Sequence, residues 1–195
     1  TNLEHKRIRR LIWLVLTAFV LLGYLLQSVA GIVSYSMVMR TYGTVSSPPV
    51  ILQKGNCSGT TTIYTNNTSA LVTVKAPTND SATFDHVLKI VNQVADNWQI
   101  KLKVYANSTI GRLSSLNISL YDGASSNQIA VSGGSIVKSE GTWYDLPGGS
   151  GSTVYISMKK LKATATGTSY IYTYLKIQKP NTTTYMLYVI TFEIT

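Results

Sequence analysis

Seven of the eleven asparagines stand in Asn-x-Ser/Thr triplets: Asn56, Asn66, Asn67, Asn79, Asn107, Asn117 and Asn181. This triplet is the acceptor pattern for N-linked glycans. A chain rich in serine and threonine makes some triplets by chance, but seven of them point to a glycosylated protein outside the cell. Several fall in turns or on outward strand positions, where a sugar chain is carried most easily. Asn66 and Asn67 overlap, so at most one of that pair is used. N-linked glycans are the only non-protein groups expected; no cofactor and no metal are.

Other chemistry has little to work with. His5 and His86 are the only histidines, and His5 lies in a basic tail, which leaves no His-based metal site or catalytic triad. Glycosidase chemistry needs two acids in one cleft. Asp122, Glu140 and Asp145 are the only close set, and the pattern places all three in loops. Nothing resembles a phosphate-binding loop or a nucleophile elbow, so the chain is read as non-enzymatic. Cys57 is the single cysteine, which excludes an intrachain disulfide.

The formal net charge is +9, from 17 basic and 8 acidic residues. Excess base is one footprint of nucleic-acid binding. Here the lysines are scattered along strands, only Lys159, Lys160 and Lys162 lie close together, and no nucleic-acid motif is present, so no nucleic-acid partner is expected. A domain with few carboxylates loses little stability when they protonate, which would suit an acidic exterior. Tyrosine is abundant, with 13 residues. Exposed strand tyrosines serve as interface anchors or sugar platforms, or simply shield a sheet.

These residues are carried by two contrasting parts. Leu11 to Met39 contains no charge and no proline, and the basic run Lys6, Arg7, Arg9 and Arg10 precedes it. As a helix it spans about 43 Å, more than the ~30 Å core of a bilayer. A helix apolar nearly all round belongs in lipid or among other helices. Gly23, Ala30, Gly31 and Ser34 are small enough for close helix packing. Three roles suit the stretch. One is a secretory signal cut after Ser28-Val29-Ala30. Another is a membrane anchor with the basic run in the cytoplasm. The third is a filament-core helix. Residues 1–40 form this first part, 41–59 a connector and 60–195 a β domain; the roughly 150 residues beyond the helix are enough for a real core.

The connector holds Pro48-Pro49, and Val50-Ile51-Leu52 after it reads as a short edge strand. The double proline puts residues 42–53 at a sheet edge, in the chain's own domain or a neighbour's; the long helix already supplies a contact between copies, which favours the chain's own. From Thr60 onward the signals are all β. Trp98 to Tyr105 alternates, with Ile100, Leu102 and Val104 on one face and Gln99, Lys101 and Lys103 on the other. Leu116, Ile118 and Leu120 alternate with Asn117, which turns Asn117 outward. Tyr170, Tyr172 and Tyr174 share a face opposite Ile171, Leu175 and Ile177. Tyr185 to Ile194 is apolar on both faces, as a central strand is. Eight to ten such strands predict a two-sheet sandwich, jelly-roll or immunoglobulin-like.

Three stretches carry a resemblance: Thr61 to Ala70 (TTIYTNNTSA), Gly141 to Pro147 (GTWYDLP) and Asn181 to Thr195 (NTTTYMLYVITFEIT). In them the chain resembles secreted surface-filament proteins of thermophilic archaea, with jelly-roll-like or immunoglobulin-like subunits of pili and threads. The whole plan, a hydrophobic helix followed by an all-β head, resembles archaeal type IV pilins. The resemblance implies copies of the chain in a helical filament, heavy glycosylation and a role in adhesion or cell contact. Archaeal type IV pilins are usually cut directly before the hydrophobic helix, whereas Lys6 to Arg10 remain here. The alternative is therefore a membrane-anchored surface glycoprotein, such as an adhesin, an S-layer-associated protein or a viral envelope protein.

Overall fold

The computed structural model describes residues 47–57, 59–64 and 67–195. The apolar stretch 11–39, with Gly23, Ala30, Gly31 and Ser34, lies outside the described residues, as does Asn66. Among the described residues, no helix is long and apolar enough to cross a membrane.

Among the described residues twelve strands follow one another: β1 (Val50–Lys54), β2 (Thr60–Ile63), β3 (Ser69–Val74), β4 (Ala82–Asn92), β5 (Trp98–Ser108), β6 (Leu113–Tyr121), β7 (Ser125–Ser132), β8 (Ser135–Lys138), β9 (Tyr144–Leu146), β10 (Thr153–Ala163), β11 (Ser169–Gln178) and β12 (Tyr185–Ile194). They form two six-stranded sheets. Sheet A runs β1-β4-β10-β6-β7-β8, and sheet B runs β2-β3-β12-β11-β5-β9. Every pair is antiparallel except β3 with β12, where Ser69 to Val74 runs parallel to Val189 to Ile194.

Alternation decides which side chains meet between the sheets. Leu88, Ile90, Leu116, Ile118, Leu120, Ile156 and Met158 from sheet A join Ile100, Leu102, Ile171, Leu175, Ile177, Ile190 and Phe192 from sheet B in one core. Fully burying an aliphatic side chain of this kind contributes about 1.5–3 kcal/mol. The two-sheet sandwich is thus the fold, built on the inward faces that the period-two pattern marks.

One difference from the sequence reading has a physical cause. Asp145, placed in a loop, lies on β9, which pairs with Trp98 to Ile100 of β5. Three residues ending at Pro147 are too few to show a period. Val50–Lys54, inside the connector 41–59, is a full member of sheet A. Its residues pair with Leu88 to Asn92 of β4, and Val50 and Leu52 are fully buried in the core. As the edge-strand reading requires, among the described residues no strand lies beyond it in the sheet. The Tyr188 hydroxyl reaches across the sandwich from β12 and donates to the Val50 carbonyl oxygen. Burial pushes that phenol up to about 12.

Buried polar groups fix the loops at one end. The Asn92 side-chain amide donates to the carbonyls of Asp96 and Pro147, both at 2.8 Å, and its oxygen accepts the Val94 N–H. The Gln128 side chain donates to Ser126 Oγ and the Thr142 carbonyl and accepts the Leu102 N–H. In β4, pairing with β10 slips between Leu88 and Phe84, and His86 in the gap holds φ of 58°. His86 donates its backbone N–H to Ser157 Oγ at 3.1 Å. The chain leaving β1 packs so closely there that a Cβ on Gly55 would sit 1.6 Å from the His86 carbonyl oxygen.

Candidate interaction face

The outward face of sheet B holds the tyrosines that alternation in β11 predicts. Ile171, Thr173, Leu175 and Ile177 are buried, and Tyr170, Tyr172, Tyr174 and Lys176 turn outward between them. Tyr105 of β5 stacks on Tyr174 with ring centroids 4.1 Å apart and tilts against Tyr172 at 6.1 Å. Tyr170 and Tyr172 stack at 6.0 Å. Ring pairs at these separations add to what their area alone contributes. The Tyr105 phenol titrates above its ordinary value, first through desolvation and then through the nearby Tyr174 and Tyr172. At the end of the row, the Tyr170 hydroxyl donates to Glu193 at 3.0 Å, and Thr73 Oγ1 donates to the other oxygen of that carboxylate at 2.8 Å.

The neighbouring strand β12 is central, as the sequence indicates, yet its outer face is open. Tyr185, Leu187 and Val189 are 47, 46 and 37% exposed. They stand opposite Gln178, Lys176 and Tyr174 of β11 in register. Half-buried and exposed aromatic rings and exposed aliphatic side chains thus form one strip along the middle of the sheet.

A charged cluster borders the strip. Glu140 lies 2.6 Å from Lys101, 3.2 Å from Lys103 and 3.4 Å from Lys176. Hydrogen bonding from Lys101 is the main reason its carboxyl is held down at about 2; burial opposes that, and the other lysines assist. Lys101 lies over the Trp143 ring and Lys176 over the Tyr185 ring, at 4.5 and 5.0 Å from the centroids. Past Tyr185, an apolar hollow of about 290 Å³ is lined by Trp98, Ile177, Lys179, Thr182, Thr184, Tyr185 and Met186.

The acids of the sequence reading do not form a cleft pair. Asp122 accepts from the Tyr144 hydroxyl, Asp145 from the Gln99 amide at 3.0 Å, and Glu140 serves the lysines. Among the described residues, no group of three or more His, Cys, Asp or Glu side chains is placed to hold a metal. Cys57 is a free, half-buried thiol that accepts the Gly59 N–H.

The six described sequon asparagines lie at the surface. Asn56, Asn67, Asn79, Asn107 and Asn181 are exposed, and Asn117 is half-exposed on β6 with Leu116 and Ile118 turned in. Asn67 and Asn181 sit in turns with φ of 54° and 63°, left-handed values that asparagine tolerates. In sheet B only Asn107 lies on a strand, next to the last residue of β5. The middle of its outer face carries no sequon. Sequence reasoning found the tyrosines but missed Leu187 and Val189, because an apolar residue on both faces reads as burial on both. It also missed Glu140 as the hub of three lysines, since that depends on strand neighbours far apart in the chain.

No protein-family model matches this chain, and no curated protein does. Among solved structures it is similar to a PapD-like domain of a human protein, with 9% identity and a TM-score of 0.41 over 80% of this chain and 92% of that one. It is also similar to the CooA pilin subunit from enterotoxigenic Escherichia coli, with 14% identity and a TM-score of 0.39 over 76% and 98%. A collagen-binding domain from a Staphylococcus aureus adhesin follows at 13% identity and a TM-score of 0.31 over 77% and 99%. Likeness at this level has no bearing on what the chain does; the sandwich itself rests on its strand registers.

Proposed function

We propose that the chain is a glycosylated structural subunit of an extracellular filament, of the archaeal pilus kind that its sequence resembles. Leu11 to Met39 would form the assembly core, and the β domain the outer sheath. The observation that carries the reading is the outer face of sheet B. The exposed Tyr105, Leu187 and Val189 join the half-buried Tyr172 and Tyr174 in one aromatic and aliphatic strip, whose middle carries no acceptor asparagine. Contiguous apolar patches rimmed by polar groups mark contact surfaces, and a glycan-free face is the one that packs without obstruction. The partner is another copy of the same chain.

The second reading, a membrane-anchored surface glycoprotein, is favoured by Lys6 to Arg10 standing directly before the apolar stretch. Negative-stain microscopy of the full chain separates the two. Filaments in the absence of detergent, lost in Val20→Asp, are the expected result, because an unpaired charge in a dry helical bundle costs several kcal/mol. Normal filaments from Val20→Asp remove the core-helix assignment. Particles that stay dispersed only in detergent establish the anchor instead.

A further inference from the structure

The outer face of sheet A carries a second aromatic group, away from the strip on sheet B. Tyr155 of β10 stands opposite Tyr121 of β6 in register. The His86 ring, set by its left-handed backbone, lies 4.2 Å from Tyr155 and 5.8 Å from Tyr121. One step along, Ser157 stands opposite Ser119, both turned outward yet only 1% and 3% exposed. One step further, Lys159 stands opposite Asn117, and its ammonium lies 5.7 Å from the Tyr121 centroid. The strands therefore hold a sequon asparagine, a pair of small hydroxyl residues and an aromatic group in line. A hollow of about 230 Å³ lined by Asp85, His86, Tyr121 and Lys159 lies along that line.

We infer that this hollow is the seat of the N-linked glycan carried by Asn117. The inference rests on the sequon reading of the proposed function and adds where the sugar goes. Lys159 borders the hollow and is the direct cross-strand neighbour of Asn117, so the first sugar enters at the Lys159 end. Tyr121 lies four residues on, about 13 Å along the strand, a distance spanned by a few linked pyranose rings. A pyranose presents a face of C–H groups that packs on an aromatic ring, and its hydroxyls pair with polar groups at the rim. Tyr121 and His86 supply the rings that line the hollow, and Tyr155 lies against His86. Asp85 supplies an acceptor and Lys159 a donor.

The test uses the full chain isolated with its native modification, with Asn117→Gln, Tyr155→Ala, Tyr121→Ala and each Tyr change combined with Asn117→Gln. Intact mass first shows whether Asn117 carries a glycan. Thermal melts then show whether the substitutions couple. A seated glycan makes Tyr155→Ala cost about 2–4 °C more in Tm when the glycan is present than in the Asn117→Gln background. Release of the Asn117 sugar by an endoglycosidase should also be several-fold faster in Tyr121→Ala and Tyr155→Ala than in the parent, a readout that needs only one of the two variants to fold. A glycan on Asn117 with additive melts and unchanged release overturns the seat and leaves the sequon reading standing. No glycan on Asn117 overturns the sequon reading at that position and the seat with it.

Discussion

Tyr188 joins the two sheets through a single buried hydroxyl. Replacing it by Phe keeps the ring and removes the donor, leaving the Val50 carbonyl without the hydroxyl's proton. A buried group left unpaired costs about 1–3 kcal/mol. The urea midpoint of Tyr188→Phe should fall accordingly, with faster amide exchange at Ile51 and Leu52. Glu140 makes a prediction of a different kind. Its carboxyl is held at about 2, below the ordinary 4.5. Its contribution is therefore complete above about pH 4.5 and is lost as pH falls toward 2. The side chain is about a third exposed, so solvent screening keeps the contribution below about 1 kcal/mol. The Tm gap between the parent and Glu140→Gln should be open at pH 7 and nearly closed at pH 2. A gap of constant width would mean that the lysines support the fold without the ion pairs.

At the scale of the element, β1 decides whether the domain is complete in itself. Leu52 is buried in the chain's own core and pairs with Ile90 of the chain's own β4. The chain cut to 47–195 should therefore be a monomer in solution with one cooperative melt. Head-to-tail oligomers that a peptide of residues 44–53 dissolves would show instead that this strand is exchanged between copies. Leu52→Ala should cost about 2–5 kcal/mol, as other large-to-small core changes do. Strands with clean alternation, such as β5 and β11, were legible because each buries one face and wets the other. The whole of β12 was legible as a central strand. The parallel pairing of β3 with it was not, although β3 itself reads as a strand, because parallel pairing leaves no hairpin signature. Nor were β9, with three residues, and the slip around His86 in β4, since a bulge breaks the period that reveals a strand. Gln128 and Asn92 gave no sign of burial, because a polar residue goes inside only where distant loops supply its partners. The hollow beside Asn117 escaped for the same reason: His86, Tyr121 and Tyr155 come from three strands.

For the molecule as a whole, the two outer faces differ in kind. Sheet A presents Asn117, paired with lysine, near its middle, and sheet B presents tyrosine, leucine and valine. Leu187→Lys on sheet B should weaken association between copies while leaving the Tm of the isolated domain within about 1 °C, since exposed changes rarely move stability. Sedimentation of the full chain measures the first effect and calorimetry of residues 47–195 the second. Unchanged association in Leu187→Lys and Tyr174→Ala would dismiss this face as the contact surface.

The parallel pairing of β3 with β12 also bears on the order in which the sandwich can close. Strands β2 and β3 reach the rest of sheet B only through β12, whose partners in β3 are about a hundred and twenty residues earlier in the chain. A ribosome delivers β2 and β3 long before β12 exists. Until Tyr185 to Ile194 emerges, those two strands have no partner in sheet B but each other, and a lone hairpin is marginal. Pairings this distant in sequence are slow to form. Closure of sheet B is thus timed by the arrival of its central strand.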